Sequence, residues 1–167
     1  EQLKKQLKKR GHSFESETDT EVIPHLLEEQ IQREDNLEDA AYNLTQKIEG
    51  NYAVVAVIES GDIIAFKNGS PLALGISEDE YFLASDVTPF LEHTEKAIFL
   101  EDGEVAILNG AYKIFREGEE VDREPRKIEW DAEEACKEGH NHFMEKEIKE
   151  QPQTVKKAAF QDESDMK

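Results

Sequence analysis

From Asn51 onward the chain stops repeating at helical spacing and breaks into short runs of β-branched and aromatic residues: YAVVAVI (52–58), DIIAFK (62–67), PLALGI (71–76), YFLAS (81–85), AIFL (97–100), EVAIL (104–108) and AYKIF (111–115). Seven such runs, each too short for a helix and punctuated by turn residues, require antiparallel sheet structure. Asn68-Gly69, Asp102-Gly103 and Asn109-Gly110 tolerate positive φ, so tight hairpins are expected at all three. A short helix is expected between Asp86 and His93. With 167 residues there is enough chain for one main domain with a sizeable core.

Ahead of the strands the period is helical. Leu3 and Leu7 stand one turn apart among lysines, with Gly11 placed to stop a helix in the left-handed conformation. Val22, Ile23, Leu26, Leu27 and Ile31 make the apolar face of a second helix, with Thr18 and Glu21 spaced as a capping box. Pro24 conflicts with an uninterrupted helix there, so either a kink or a regular start nearer Thr20 is expected. Leu37, Ala40, Ala41, Leu44 and Ile48 form a third helix ending at Gly50. Beyond Trp130 helix formers return, with Asp131 and Glu134 as a capping box, a break at Gly139 and a stop at Pro152. The last residues, from about Phe160, carry little apolar content and should be loosely held.

Charge excludes several function classes. Twenty basic against 39 acidic residues give a net charge of −19, which repels a phosphate backbone and an anionic bilayer surface, so neither nucleic acid nor membrane is an expected partner. The apolar runs are too short to span a bilayer, and one cysteine, Cys136, cannot form an internal disulfide; a cytoplasmic location is expected. His140 and His142 form a His-x-His pair, but zinc needs three or four converging ligands and none stands at a recognised spacing, so no metal is expected. Cys136 reads as a small packing residue rather than a nucleophile. Asp19, beside a helix start, could cap that helix through the dipole or present a carboxylate to a ligand cation; on physics alone the cap is favoured.

Four motifs shift that balance: SETDTEVIPHL (16–26), KNGSPLALG (67–75), YFLASD (81–86) and HFMEKEIKEQP (142–152). Their order and spacing resemble the glucosamine-6-phosphate synthase family of class II glutamine amidotransferases across almost the whole chain. The middle two are similar to class II amidotransferases in general; HFMEKEIKEQP resembles the sugar-phosphate aminotransferase branch. The resemblance implies an α+β fold, part of the four-layer αββα sandwich of N-terminal-nucleophile hydrolases, with antiparallel sheets between helices. It implies residues 1–138 as the C-terminal portion of the glutaminase domain and 139–167 as a helical exit segment toward a sugar isomerase domain.

In that family a cysteine at the first mature residue attacks the glutamine amide, with its own α-amine as base. A glutamyl thioester and ammonia result, and the ammonia serves conversion of fructose 6-phosphate to glucosamine 6-phosphate. Residue 1 here is Glu1, so no catalytic residue is expected in this chain; the family's carboxylate-binding arginine and its asparagine-glycine oxyanion pair also lie upstream. What the resemblance carries over is Asp19, whose counterpart holds the α-ammonium of glutamine. Gly69, Ser70 and Pro71 are expected to shape the start of a strand, and Asp86 to end one and cap the segment after it. No cofactor is implied; the expected partners are glutamine, the missing N-terminal part of the same domain, a sugar isomerase domain and further copies in a homo-oligomer. Two alternatives stand beside this: a purine-pathway amidotransferase, and a non-catalytic acidic interaction module that keeps only the scaffold. Part of such a sandwich should expose an apolar sheet face, so size-exclusion chromatography of the isolated chain is expected to show association, and a well-behaved monomer would count against it.

Overall fold

The computed structural model describes residues 2–128 together with Met144, Ile148, Lys149, Gln151, Pro152 and Val155. The chain divides into two compact units, Glu1–Ile128 and Glu129–Lys167. In the second unit all six described residues are helical, Pro152 and Val155 included, and the residues between those two lie outside the described set. The expected capping box at Asp131 and Glu134, Cys136, the break at Gly139, the His140–His142 pair and the tail from Phe160 lie outside the described residues.

Three helices open the first unit: α1 (Gln2–Lys9), α2 (Val22–Ile31) and α3 (Leu37–Thr45). Gly11 ends α1 as expected, at φ 102. The Gly11 N–H bonds to the Lys8 carbonyl at 3.2 Å and the His12 N–H to the Leu7 carbonyl at 3.1 Å, the paired bonds of a Schellman cap. The regular part of α2 starts close to Thr20, the second of the two expected outcomes, with the Ile23 N–H on the Thr20 carbonyl at 3.0 Å. The helix begins at Val22, which puts Pro24 in the first turn, where backbone N–H groups have no intrahelical partner to lose. Asn36 caps α3, its side chain accepting from the Asp39 N–H at 2.8 Å. That helix ends at Thr45 rather than Gly50, although Ile48 still packs on the core.

The strands are β1 (Tyr52–Val57), β2 (Ile63–Asn68), β3 (Ala73–Ile76), β4 (Tyr81–Ala84), β5 (Lys96–Phe99), β6 (Glu104–Leu108), β7 (Tyr112–Arg116), β8 (Glu119–Val121) and β9 (Arg126–Lys127). The seven expected strands are all present. β8 and β9 were not expected, because three and two residues are too few to carry a period. One sheet runs β1-β2-β6-β7-β8 and the other β4-β3-β5-β9, antiparallel throughout.

Period-two alternation explains the layering. Ile64 and Phe66 of β2, Val105 and Ile107 of β6 and Phe115 of β7 pack with Leu7, Leu26, Leu27, Ala41 and Leu44 of the helices. Their neighbours Ala65, Ala106, Leu108 and Ile114 pack with Leu74 and Ile98 of the second sheet. β6 is therefore buried at every position. Helices, five-stranded sheet and four-stranded sheet make three layers of an α+β sandwich.

Only one of the three turn dipeptides makes a hairpin. Asn109-Gly110 joins β6 to β7, where Leu108 lies opposite Tyr112. Asn68-Gly69 and Asp102-Gly103 instead stand where the chain leaves the first sheet after β2 and returns to it at β6. A positive φ permits a reversal, but the pairing partner is chosen by which faces must be buried. The two crossings are tied together: the Asp102 carboxylate accepts the Gly69 N–H at 2.9 Å and pairs with the Lys67 ammonium. A hairpin that was not expected, β7–β8, turns on Glu117 and Gly118, both at positive φ.

The apolar surface anticipated for part of a sandwich is found on β1, a sheet edge. Val55 is 48% and Val57 71% exposed, and Phe99 on the outer face of the second sheet is 51% exposed.

Candidate functional site

The segment between α1 and α2 carries SETDTE, and one carboxylate organises it. Glu21, the residue preceding α2, accepts the Glu15 N–H at 2.7 Å, the Ser16 N–H at 3.0 Å and the Ser16 hydroxyl at 2.6 Å. Ser16 Oγ in turn lies 2.7 Å from Thr18 Oγ1. Lys4 donates from α1 to the Ser16 carbonyl at 2.6 Å, with its ammonium 4.8 Å from the centre of the Phe14 ring. The expected capping box does not form, and no side chain among the described residues caps α2. Two backbone donors and a hydroxyl on one carboxylate outweigh the single N–H that a capping box would give Glu21.

The same bonds, the Ser16 hydroxyl first and the Glu15 N–H next, hold the Glu21 carboxyl down at about 2 from 4.5. A carboxyl depressed on folding stabilises the native loop above its unfolded value and loses that contribution as pH falls through the folded one. Protection of the Glu15 and Ser16 amides from hydrogen exchange is therefore expected to be intact above pH 4.5 and to collapse as pH falls toward 2. Unchanged protection in E21Q would remove Glu21 from this role.

Asp19 sits in the turn this clamp holds. Its carbonyl accepts the Val22 N–H at 3.4 Å, and its exposed carboxylate has no hydrogen bond or ion pair among the described residues. Asp19 therefore does not cap α2, the role that physics alone favoured. It lines a cleft of about 750 Å³ whose wall also carries Glu15, Glu17 and Glu49 together with Lys4 and Lys8. Four carboxylates stand against two lysines, of which Lys4 is engaged with the Ser16 carbonyl and Glu21, so the cleft stays net acidic and favours an ammonium group.

Of the other motif residues, Gly69 and Asp86 have local structural contacts of their own. Gly69, at φ 68, brings its backbone against Asn51, where a Cβ would stand 2.2 Å from Oδ1. The Asp86 carboxylate accepts the Thr88 N–H at 2.8 Å and caps the 3-10 turn Thr88–Phe90, which is the short helix expected before His93. Sequence reasoning missed Glu104. It is 1% exposed and takes bonds from the Glu101 N–H at 2.8 Å, Arg116 at 3.1 Å and Arg123 at 2.9 Å. A charged residue opening an apolar strand carries no periodic signal, and its two arginines are 12 and 19 residues away in sequence.

Residues 1–92 match the glutamine amidotransferase domain family. The chain belongs to that family. This glutamine amidotransferase domain is 45% identical over 170 residues to the glutamine--fructose-6-phosphate aminotransferase (isomerizing) of Methanocaldococcus jannaschii, a match covering 95% of this chain and 16% of that protein. Its identity to the protein of the same name from Methanothermobacter thermautotrophicus is 46% over 158 residues, covering 93% of this chain and 27% of the relative. Among solved structures it is similar to the glutamine phosphoribosylpyrophosphate amidotransferase from B. subtilis complexed with ADP and GMP, at TM-score 0.55 and 30% identity, over 69% of this chain and 26% of that one. The amidotransferase domain here thus spans 16% to 27% of the length of these two relatives.

Proposed function

We propose that this chain is part of the glutaminase half of an isomerizing glutamine--fructose-6-phosphate aminotransferase, the half that releases ammonia from glutamine for the amination of fructose 6-phosphate. The observation that carries this reading is the reach of the similarity. The match to the isomerizing aminotransferases extends over 95% of the chain, against 69% for the phosphoribosylpyrophosphate amidotransferase structure. Asp19 would hold the substrate's α-ammonium in the acidic cleft, while the nucleophile, its amine base and the carboxylate-binding arginine come from elsewhere in the enzyme. Thiolate attack on the side-chain amide expels ammonia and leaves a thioester, which water cleaves to glutamate.

Residues 1–138 would complete their sandwich against the rest of the glutaminase domain, and 139–167 would lead toward a sugar isomerase domain. Support for the first part is the β1 edge, unpaired among the described residues, beside an apolar groove of about 1050 Å³ lined by Ile23, Leu27 and Ile31. A cytoplasmic homo-oligomer is the form we expect. The test is product analysis of the full-length polypeptide given glutamine with either fructose 6-phosphate or phosphoribosyl pyrophosphate. Glutamate and glucosamine 6-phosphate in equal amounts support the proposal; turnover with the pyrophosphate alone moves the chain to the purine-type alternative, and turnover with neither returns the non-catalytic one.

A further inference from the structure

The Schellman cap of α1 does more than stop a helix. By turning the chain at Gly11 it brings the ring of His12 onto α2, where His25 and Glu28 stand three residues apart on one face. Nδ1 of His12 lies 3.2 Å from Nδ1 of His25 and 3.8 Å from a Glu28 carboxylate oxygen, and one ligand atom from each of the three residues falls within 4.8 Å of the others. Two ligands each about 2.0–2.1 Å from one tetrahedral zinc ion stand roughly 3.3–3.4 Å apart, so the imidazole pair is spaced to share an ion.

The remaining nitrogen of His12 is also accounted for. Nε2 lies 3.1 Å from a carboxylate oxygen of Glu29, a side chain only 9% exposed that also pairs with Arg10 and, at 3.6 Å, with Arg33. A fixed anionic acceptor draws the His12 proton to Nε2 and leaves a lone pair on Nδ1, directed toward His25. A carboxylate behind an imidazole is the support that metal-bound histidines use to fix tautomer and ring orientation. Glu28 is 59% exposed at its side chain, which leaves a path for an ion from solvent.

We infer that His12, His25 and Glu28 bind one zinc ion through two Nδ1 atoms and a carboxylate oxygen, with the fourth position taken by water. Two imidazoles and one carboxylate suit zinc rather than the all-oxygen preference of magnesium or calcium. The ion would pin residue 12 to α2 and so fix both ends of the segment that carries Asp19.

The test is zinc titration of the metal-stripped full chain in excess magnesium, which occupies nonspecific carboxylates, read by a chromophoric competitor and by nitrogen NMR of the imidazoles. Expected are saturation at one zinc per chain, zinc-dependent shifts at Nδ1 rather than Nε2 of His12, and a rise in Tm that stops at one equivalent. Glu28→Gln, an exposed change that leaves the packing alone, should weaken binding roughly tenfold or more, and His25→Gln should abolish the stoichiometric site. Equal zinc uptake by wild type and Glu28→Gln, or imidazole resonances indifferent to zinc, would overturn the inference and leave a simple N–H···N bond between the two rings.

Discussion

Asp19→Ala in the full-length enzyme is expected to raise KM for glutamine by roughly 10- to 100-fold, the range for losing one charge-assisted hydrogen bond to a substrate cation. The fold should not suffer. The Asp19 carboxylate bonds to nothing among the described residues, so circular dichroism and Tm should match wild type. Asp19→Asn keeps the shape and drops the charge, and most of the loss should appear there too if the ammonium is what the side chain holds. Glutamine analogues lacking the α-amino group should discriminate hardly at all between wild type and Asp19→Ala. Unaltered KM in both variants would sink the assignment; a drop in Tm would mark Asp19 as structural instead.

The largest stability effect is expected at Glu104→Ala. Removing a buried carboxylate bonded to two guanidinium groups and a backbone N–H typically costs about 3–5 kcal/mol. Arg116 and Arg123 are 43% and 26% exposed at their side chains, so both can recover water, which places the expected loss near the lower end. The Glu101 N–H loses its acceptor and a void opens at the start of β6. Chemical denaturation should show a loss of about 3 kcal/mol, or a fall in Tm on the order of 10 °C. Glu104→Gln, which keeps an acceptor for that N–H, should lose less. A change below about 1 kcal/mol would make the cluster equivalent to an ordinary surface ion pair.

How far the fold could be read beforehand depended on whether a feature repeats. The apolar faces of α2 and α3 and the runs that became β1 to β7 repeat at 3.6 or 2 residues, so burial wrote them plainly into the sequence. Pairing was less legible. Asn68-Gly69 looks the same as Asn109-Gly110, and only the burial of both faces of β2 and β6 sends one into a crossing and the other into a hairpin. The β7–β8 turn was hidden because Glu117 takes a positive φ that its residue type disfavours. At the site, the Asp19 motif could be singled out only by family resemblance. The Glu21 clamp was misassigned because a carboxylate three residues after a threonine has two local choices, and the nearby Ser16 offered more donors. His12 and His25 are brought together by the turn at Gly11, which spacing along the chain could not reveal.

The crossing of the chain out of β2 and back into β6 constrains how the molecule assembles. Ile63 faces Leu108 and Phe66 faces Val105, so the central pairing of the larger sheet closes over the whole excursion through β3, β4 and β5. That closure loses chain entropy before it gains contacts, and it gains them fully only if the excursion is already ordered. Neither sheet can mature ahead of the other, which makes the two a single cooperative unit: damage to the outer sheet should be felt as loss of register between β2 and β6.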